Sequence, residues 1–185
     1  MPILSLADAK AQLNITSTAN DVELGDYIGA IDDAIETHVG AVLDRTVSEV
    51  VELAGYGLLV ATRPVTSLTS LTSVSDGTTY DVGGLYVKDA GAGIIRRRDG
   101  LPLAVGGYAP AWTLTYVAGR GATAPSSINL AARIILQHLW ETQRGGSRRP
   151  GMGGDNLDPQ FLVMGFAVPR RAVELLANHQ QFGVA

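Results

Sequence analysis

Residues 21–43 read DVELGDYIGAIDDAIETHVGAVL, and this stretch decides how the rest of the chain must be organised. Its apolar residues Leu24, Ile28, Ile31, Ile35, Val39 and Val42 are separated by steps of four, three, four, four and three. That spacing predicts one continuous apolar stripe along a helix. Asp26, Asp32, Asp33 and Glu36 fall mainly off the stripe and predict an acidic opposite face. Asn20 or Asp21 supplies the N-cap. At 1.5 Å per residue a helix from Asp21 to Leu43 would be about 35 Å long. A helix of this kind gains most of its stability by burying its stripe, so the chain must supply partners for it.

Upstream, Ser5 followed by Asp8 is an acidic variant of the capping box, and Leu6, Ala9 and Leu13 follow at helical spacing. Asn14 and the polar run from Thr16 to Asn20 end this short helix. Downstream, residues 46–117 are dominated by Thr, Val, Ser and Gly in short alternating runs at 46–53, 57–62 and 65–74. Asp76-Gly77 between two such runs is a hairpin signal. Gly83-Gly84 and the glycines around Ala92 punctuate further short strands, and Trp112 to Val117 alternates again. Helical period returns after Pro125, with Ser126 or Ser127 as cap and Ile128, Ala131, Ala132, Ile135, Leu139 and Trp140 on one side. It fades by Arg144. A glycine-rich basic stretch follows from Gly145 to Asp155, and a last helix starts near Pro169, with Val173, Leu175 and Leu176 facing inward.

The expected fold is therefore α+β, mainly α. It is a small helical bundle of two N-terminal and two C-terminal helices with a β-rich insert in the middle. The expected layout is a single domain over residues 1–185. Helices occupy 1–45, the insert 46–117, a helix 125–144, a flexible basic loop 145–168 and the C-terminal helix 169–181.

A length of 185 residues suits one domain with a real core, and 46% hydrophobic residues fit a folded chain. The net charge of -4 argues against a generic nucleic-acid binder. There are no cysteines, which removes disulfides, thiolate nucleophiles and thiolate metal sites. The N-terminus lacks the basic start and long apolar run of a signal peptide, and no stretch approaches the roughly 20 apolar residues that span a bilayer. Charge is unevenly placed. Residues 1–54 carry ten acidic residues against Lys10 and Arg45, and residues 94–149 carry eight arginines against Asp99 and Glu141. Such a chain can pair head-to-tail with its own copies, and heterologous contacts of that kind close into rings. Two solvated faces that never meet are the plain alternative.

No constellation for catalysis is present. His38, His138 and His179 are far apart and lack H-E-x-x-H spacing. There is no G-x-S-x-G elbow, and the glycine-rich stretch 145–154 lacks the Gly-Lys-Ser/Thr of a phosphate-binding loop. The adjacent Asp32 and Asp33 point to different sides of a helix. No catalytic, cofactor or metal site is expected, and the chain is not read as an enzyme. The densest cationic run, Arg96-Arg97-Arg98, is a candidate contact for nucleic acid or an acidic partner, or else a solvated hairpin arm. Arg144, Arg148 and Arg149 read as a partner-binding loop or as a plain linker.

Several blocks carry a family resemblance. Residues 4–16, then Asn20-Asp21 and Glu23-Leu24, then residues 27–43 resemble the opening of phage head-tail connector (adaptor) proteins. There a short helix precedes a long one, with the matching positions at Ala9, Lys10, Leu13, Ile35, Glu36, Gly40 and Leu43. Tyr116 to Gly119, followed by Pro125, Ile128 and Ala131, is similar to the family's strand-glycine-proline-helix passage. Leu139 to Arg144 resembles the end of its third helix, and Pro169 to Leu176 its closing helix. Residues 46–111 match no family pattern, and Gly119-Arg120-Gly121 stands where an aromatic would follow the first glycine.

The resemblance implies a structural subunit of a tailed bacteriophage, made in the host cytoplasm and placed in the virion neck. It implies a homo-oligomeric ring of twelve copies beneath the portal, which extends the DNA channel and joins head to tail. Its partners would be the portal protein, the next neck or tail-completion protein, and genomic DNA that passes without sequence-specific binding. No cofactor and no membrane are implied. Arg144, Arg148, Arg149, Arg170 and Arg171 are then the expected partner-binding residues. The acidic face of Asp26, Asp32, Asp33 and Glu36 is the expected subunit interface. Alternatives are another ring-forming neck or tail protein, such as a stopper or tail terminator, and a small DNA-binding module that uses Arg96 to Arg98.

Overall fold

The computed structural model describes residues 2–54, 56–103, 111–143 and 168–180. Helices and antiparallel strands are both present, so the fold is α+β. The chain forms two compact units. One holds residues 2–35 and 126–178, the other residues 36–125 and the segment from His179.

The first unit is helical. Helix α1 (Leu6–Leu13) starts as the sequence predicts. The Ser5 hydroxyl accepts the Asp8 N–H at 3.1 Å and donates to the Asp8 carboxylate at 2.6 Å. Asn14 closes the helix in the left-handed region at φ 55°, a conformation that asparagine tolerates. Helix α2 (Asp21–Val39) buries Leu24, Ile28, Ile31 and Ile35 within this unit. Helix α3 (Ser126–Gln143) buries Ile128, Ala131, Ala132, Ile135, Leu136 and Leu139. Trp140 is half-buried and meets Tyr27 of α2 edge-on, with ring centroids 6.4 Å apart. Polar ties flank this core. Lys10 pairs with Asp21 at 2.7 Å and Arg133 with Asp8 at 3.2 Å, and the Asn129 amide donates to the Ile3 carbonyl at 3.3 Å. Helix α4 (Arg170–Ala177) follows Pro169 and packs on α3. It buries Ala172 and Leu176, whereas Val173, expected inward, is 36% exposed. The buried face of the helix is thus turned by about one position from the expected one.

Helix α2 ends at Val39, three residues before the apolar stripe does. Gly40 adopts φ 75°, which favours glycine, and its N–H is the last to bond back into the helix, to Glu36. The chain then turns away, with the Ala41 N–H donating to the Arg63 carbonyl at 2.7 Å. Val42 is fully buried, but from the chain beyond the helix and not from the helix itself.

The second unit is built on two antiparallel four-stranded sheets. In the first, β1 (Arg45–Val51) pairs with β8 (Trp112–Ala118), which pairs on its other side with β4 (Val65–Ser73), which takes β5 (Thr79–Tyr80). The second runs β2 (Leu53–Ala54), β3 (Gly57–Leu59), β7 (Ile94–Arg97), β6 (Leu85–Asp89), with a short 3-10 turn at Val82–Gly84 before β6. Strand β8 alternates as its sequence predicts: Trp112, Leu114, Tyr116 and Ala118 are buried. They share one core with Val51, Val65 and Leu71 of the first sheet and Leu58, Leu85 and Ile95 of the second. The Asp76-Gly77 signal does form the β4–β5 turn. Gly77 sits at φ 71°, the Asp76 carboxylate accepts the Thr78 N–H at 3.0 Å, and the Ser73 N–H reaches the Thr78 carbonyl at 2.8 Å.

Candidate functional site

The expected site residues that the structure describes sit on α2, on α4 and at the end of β7, and their surroundings divide them sharply. The three arginines at the end of β7 do not share one role. Arg97 is used within its own chain. It forms an ion pair with Asp99, donates to the Pro102 carbonyl at 3.2 Å and lies 5.5 Å over the Tyr80 ring. The Leu101 N–H, and after it Arg97, hold the Asp99 carboxyl below the usual carboxylate range. Arg98 is exposed and tied to the neighbouring turn, its Nε donating to the Gly83 carbonyl at 3.1 Å. Arg96 faces the other way. Its register partners are Gly57 on one side and Tyr86 on the other. With Tyr56, Tyr86, Arg97 and Gly100 it lines a shallow recess of about 280 Å³. Its Nε is buried and, among the described residues, has no hydrogen-bond partner.

The acidic face of α2 also divides. Asp32 is half-buried and accepts the Ile3 N–H at 3.2 and 3.3 Å, which fixes the start of the chain to the helix. Glu36 is bound by Arg45 through two contacts of 3.0 and 2.8 Å and accepts the Val42 N–H at 3.4 Å. Asp26 and Asp33 are exposed. Seven residues apart, they lie on one side of the helix.

Of the C-terminal arginines, Arg170 and Arg171 are exposed on the first turn of α4. Arg170 is 93% exposed and pairs with Glu174 one turn along at 3.3 Å, a contact worth a few tenths of a kcal/mol. Arg144, Arg148 and Arg149 lie outside the described residues.

Sequence reasoning missed two structural anchors. Arg120, in the departure from the family pattern, donates through Nη2 to the Val39 carbonyl at 2.8 Å and to the His179 carbonyl at 2.7 Å. The first of these is an orphan carbonyl at the C-terminus of α2. Burial lowers the pKa of Arg120, and burial followed by the Arg120 charge lowers that of His179. The flanking Gly119 is required. At φ 149° its backbone passes so close to Asp44 that a Cβ would stand 2.5 Å from the Asp44 N and Cα atoms. The second anchor is Tyr116. Its hydroxyl donates to the Thr62 carbonyl at 2.9 Å and to Glu49 at 3.1 Å, and Glu49 also accepts the Ala61 N–H at 2.8 Å. Burial first and the Glu49 charge second push the Tyr116 hydroxyl up to about 12.

A polar recess beside the end of α2 is lined by Glu36, His38, Arg45 and Arg63 among others; Glu36 pairs there with Arg45, and Arg63 donates to the Ala92 carbonyl at 3.4 Å. Among the described residues no cluster of three or more His, Cys, Asp or Glu side chains is placed to hold a metal ion. No helix among them is long and apolar enough to cross a membrane. What the described residues present is charged and aromatic surface carried on rigid elements, an arrangement suited to holding other macromolecules.

The fold is similar to solved neck structures. A chain in the neck of an empty gene transfer agent particle, solved with C6 symmetry, matches with a TM-score of 0.68 at 20% identity, over 99% of this chain and 92% of that one. A chain in the neck of the native particle, solved with C12 symmetry, matches at 0.66 and 20% identity, over 99% and 91%. A chain of the native gene transfer agent virion matches at 0.62 and 17% identity, over 99% and 92%. No curated protein matches the chain. The head completion protein family model spans residues 2–182, almost the whole length, and the chain belongs to that family.

Proposed function

We propose that this protein is a structural subunit of the neck of a tailed phage or phage-like particle, a head-tail connector that acts by assembly and not by catalysis. The observation that carries the reading is the head completion family match over residues 2–182. Structures of the same fold solved with C6 and C12 symmetry support a cyclic arrangement. In this reading the whole chain acts as one adaptor domain, mainly α in its working parts, with the four helices as a small bundle and the β sheets as its insert. Twelve copies form a ring beneath the portal, extend the DNA channel without reading its sequence, and present a platform to the next neck protein.

The basic segment after α3 and the first turn of α4 are the surfaces assigned to the portal, through Arg144, Arg148, Arg149, Arg170 and Arg171. The acidic face of α2 is assigned to a neighbouring subunit. Asp26 and Asp33 are its contact residues, since both are exposed whereas Asp32 and Glu36 are half-buried. The test is a pull-down on the portal of the same particle. Arg148→Glu with Arg149→Glu should reduce retained protein at least about tenfold, because charge reversal across a complementary interface costs several kcal/mol. Full retention at low and moderate salt would remove these arginines from the portal contact.

A further inference from the structure

The second sheet carries a surface that neither its own core nor the arginine pairings explain. Its inner face is satisfied, since Leu58, Leu85 and Ile95 are buried in the core. On the outer face Gly57, Arg96 and Tyr86 lie in one row across three adjacent strands, because Arg96 is the register partner of both others. Tyr56 stands beside that row, 66% exposed, and Tyr86 is 36% exposed. Gly57 lets the neighbouring strand and the Arg96 stem lie against it, as a Cβ there would stand 2.6 Å from the Ile95 carbonyl oxygen and 3.1 Å from the Arg96 Cγ. Lys88 and Arg98 are exposed nearby on β6 and after β7. Tyrosine and arginine are the residues most enriched where protein interfaces carry their energy. Arg97 and Arg98 have acceptors within the chain, while among the described residues the buried Arg96 Nε has no hydrogen-bond partner.

The geometry points to this Tyr56–Arg96–Tyr86 face as the docking surface for the exposed acidic side of α2 on a second copy of the chain. The assignment rests on the ring reading above and names the two faces that would meet. Charge complementarity selects the occupant. The surface offers Arg96 with Lys88 and Arg98 in support, and the acidic residues concentrate in the first 54 residues, with Asp26 and Asp33 exposed. Size agrees, because a helix roughly 10 Å across covers three strands spaced about 4.8 Å apart. The helix side between the two acids is Gly29 and Ala30, both exposed, and a Cβ added at Gly25 or Gly29 meets nothing within 4 Å. The chain's own packing therefore does not require those glycines, and their small size lets two tyrosine rings lie close to the backbone. Because the two faces are different patches of one chain, the contact is heterologous and propagates from copy to copy until it closes. Duplex DNA is the competing occupant of a Tyr-Arg surface, and the net charge of -4 works against it.

The chain has no cysteine, so engineered pairs report the contact cleanly. Full-length protein carrying Tyr86→Cys and Asp26→Cys together, oxidised at high concentration, should give a ladder of disulfide-linked multimers. Either single variant should stop at dimers, and so should a pair with Glu174→Cys in place of the α2 position. In the cysteine-free protein, Arg96→Glu should weaken self-association by about tenfold or more in sedimentation, and adding Asp33→Arg should restore most of it. Absence of the ladder, or an equal ladder from the Glu174 pair, overturns the proposal. If the unaltered protein still forms multimers in that case, the ring itself stands and only this pair of faces fails. A strictly monomeric unaltered protein at hundreds of micromolar would count against the ring as well. Binding of duplex DNA by the unaltered protein, lost on Arg96→Glu with self-association unchanged, would assign the face to DNA instead.

Discussion

Tyr116 shows how a single side chain holds the β unit together. Its ring is fully buried, yet its hydroxyl joins β8 to Glu49 of β1 and to the Thr62 carbonyl. The neutral phenol is the form this site keeps, since burial and the Glu49 carboxylate both oppose phenolate. The unfolded chain loses that proton near pH 10, the folded one near 12. The tyrosine's contribution is therefore complete below pH 10 and is lost as the pH rises from 10 to 12. Tyr116→Phe should lose about 1–2 kcal/mol at neutral pH, the net value of a hydrogen bond whose acceptors are left buried. It should also flatten the fall in stability between pH 10 and 12. Urea titrations at pH 7, 10 and 11.5 measure both, and an unchanged alkaline slope would show that another group sets it. Neither this anchor nor Arg120 was legible in the sequence. A tyrosine at an inward strand position reads as core whatever its hydroxyl touches, and an arginine between two glycines reads as loop.

At the scale of elements, what the sequence revealed follows from how local each signal is. The α2 stripe, the Ser5–Asp8 cap, the Asp76-Gly77 turn and the alternation of β8 depend on residues a few positions apart, and all are present. The pairing of strands was not legible. Strand β1 pairs with β8 at separations of more than sixty residues, as Val51 does with Trp112, and alternation alone does not name a partner. The end of α2 was hidden for a different reason. Val42 continues the helical phase and is buried, but Gly40 has already turned the chain. Ile31→Ala, at a fully buried position, should cost about 2–5 kcal/mol. Val22→Ala, at 83% exposure, should stay within about 0.5 kcal/mol. Thermal melts of the two variants decide it, and equal shifts would mean that the stripe is not what anchors α2.

For the whole molecule, the functional surfaces were legible as charge and only partly as residues. Asymmetry of charge along the chain pointed to two faces of opposite sign. The structure then removes Asp32, Glu36 and Arg97 from those faces by giving each an internal partner. The groups that stay exposed are Asp26 and Asp33 on α2, Arg98 after β7, and Arg170 and Arg171 on α4, with Arg96 half-buried on the second sheet. Such a distribution suits a subunit that meets several neighbours at once, which is what a connector does. The most direct test of that role is electron microscopy of the full-length protein mixed with the portal of the same particle. The account predicts a second ring, of cyclic symmetry, stacked coaxially on the portal and continuing its channel. Portal rings that stay bare, with this protein free in solution at saturating concentration, would contradict it.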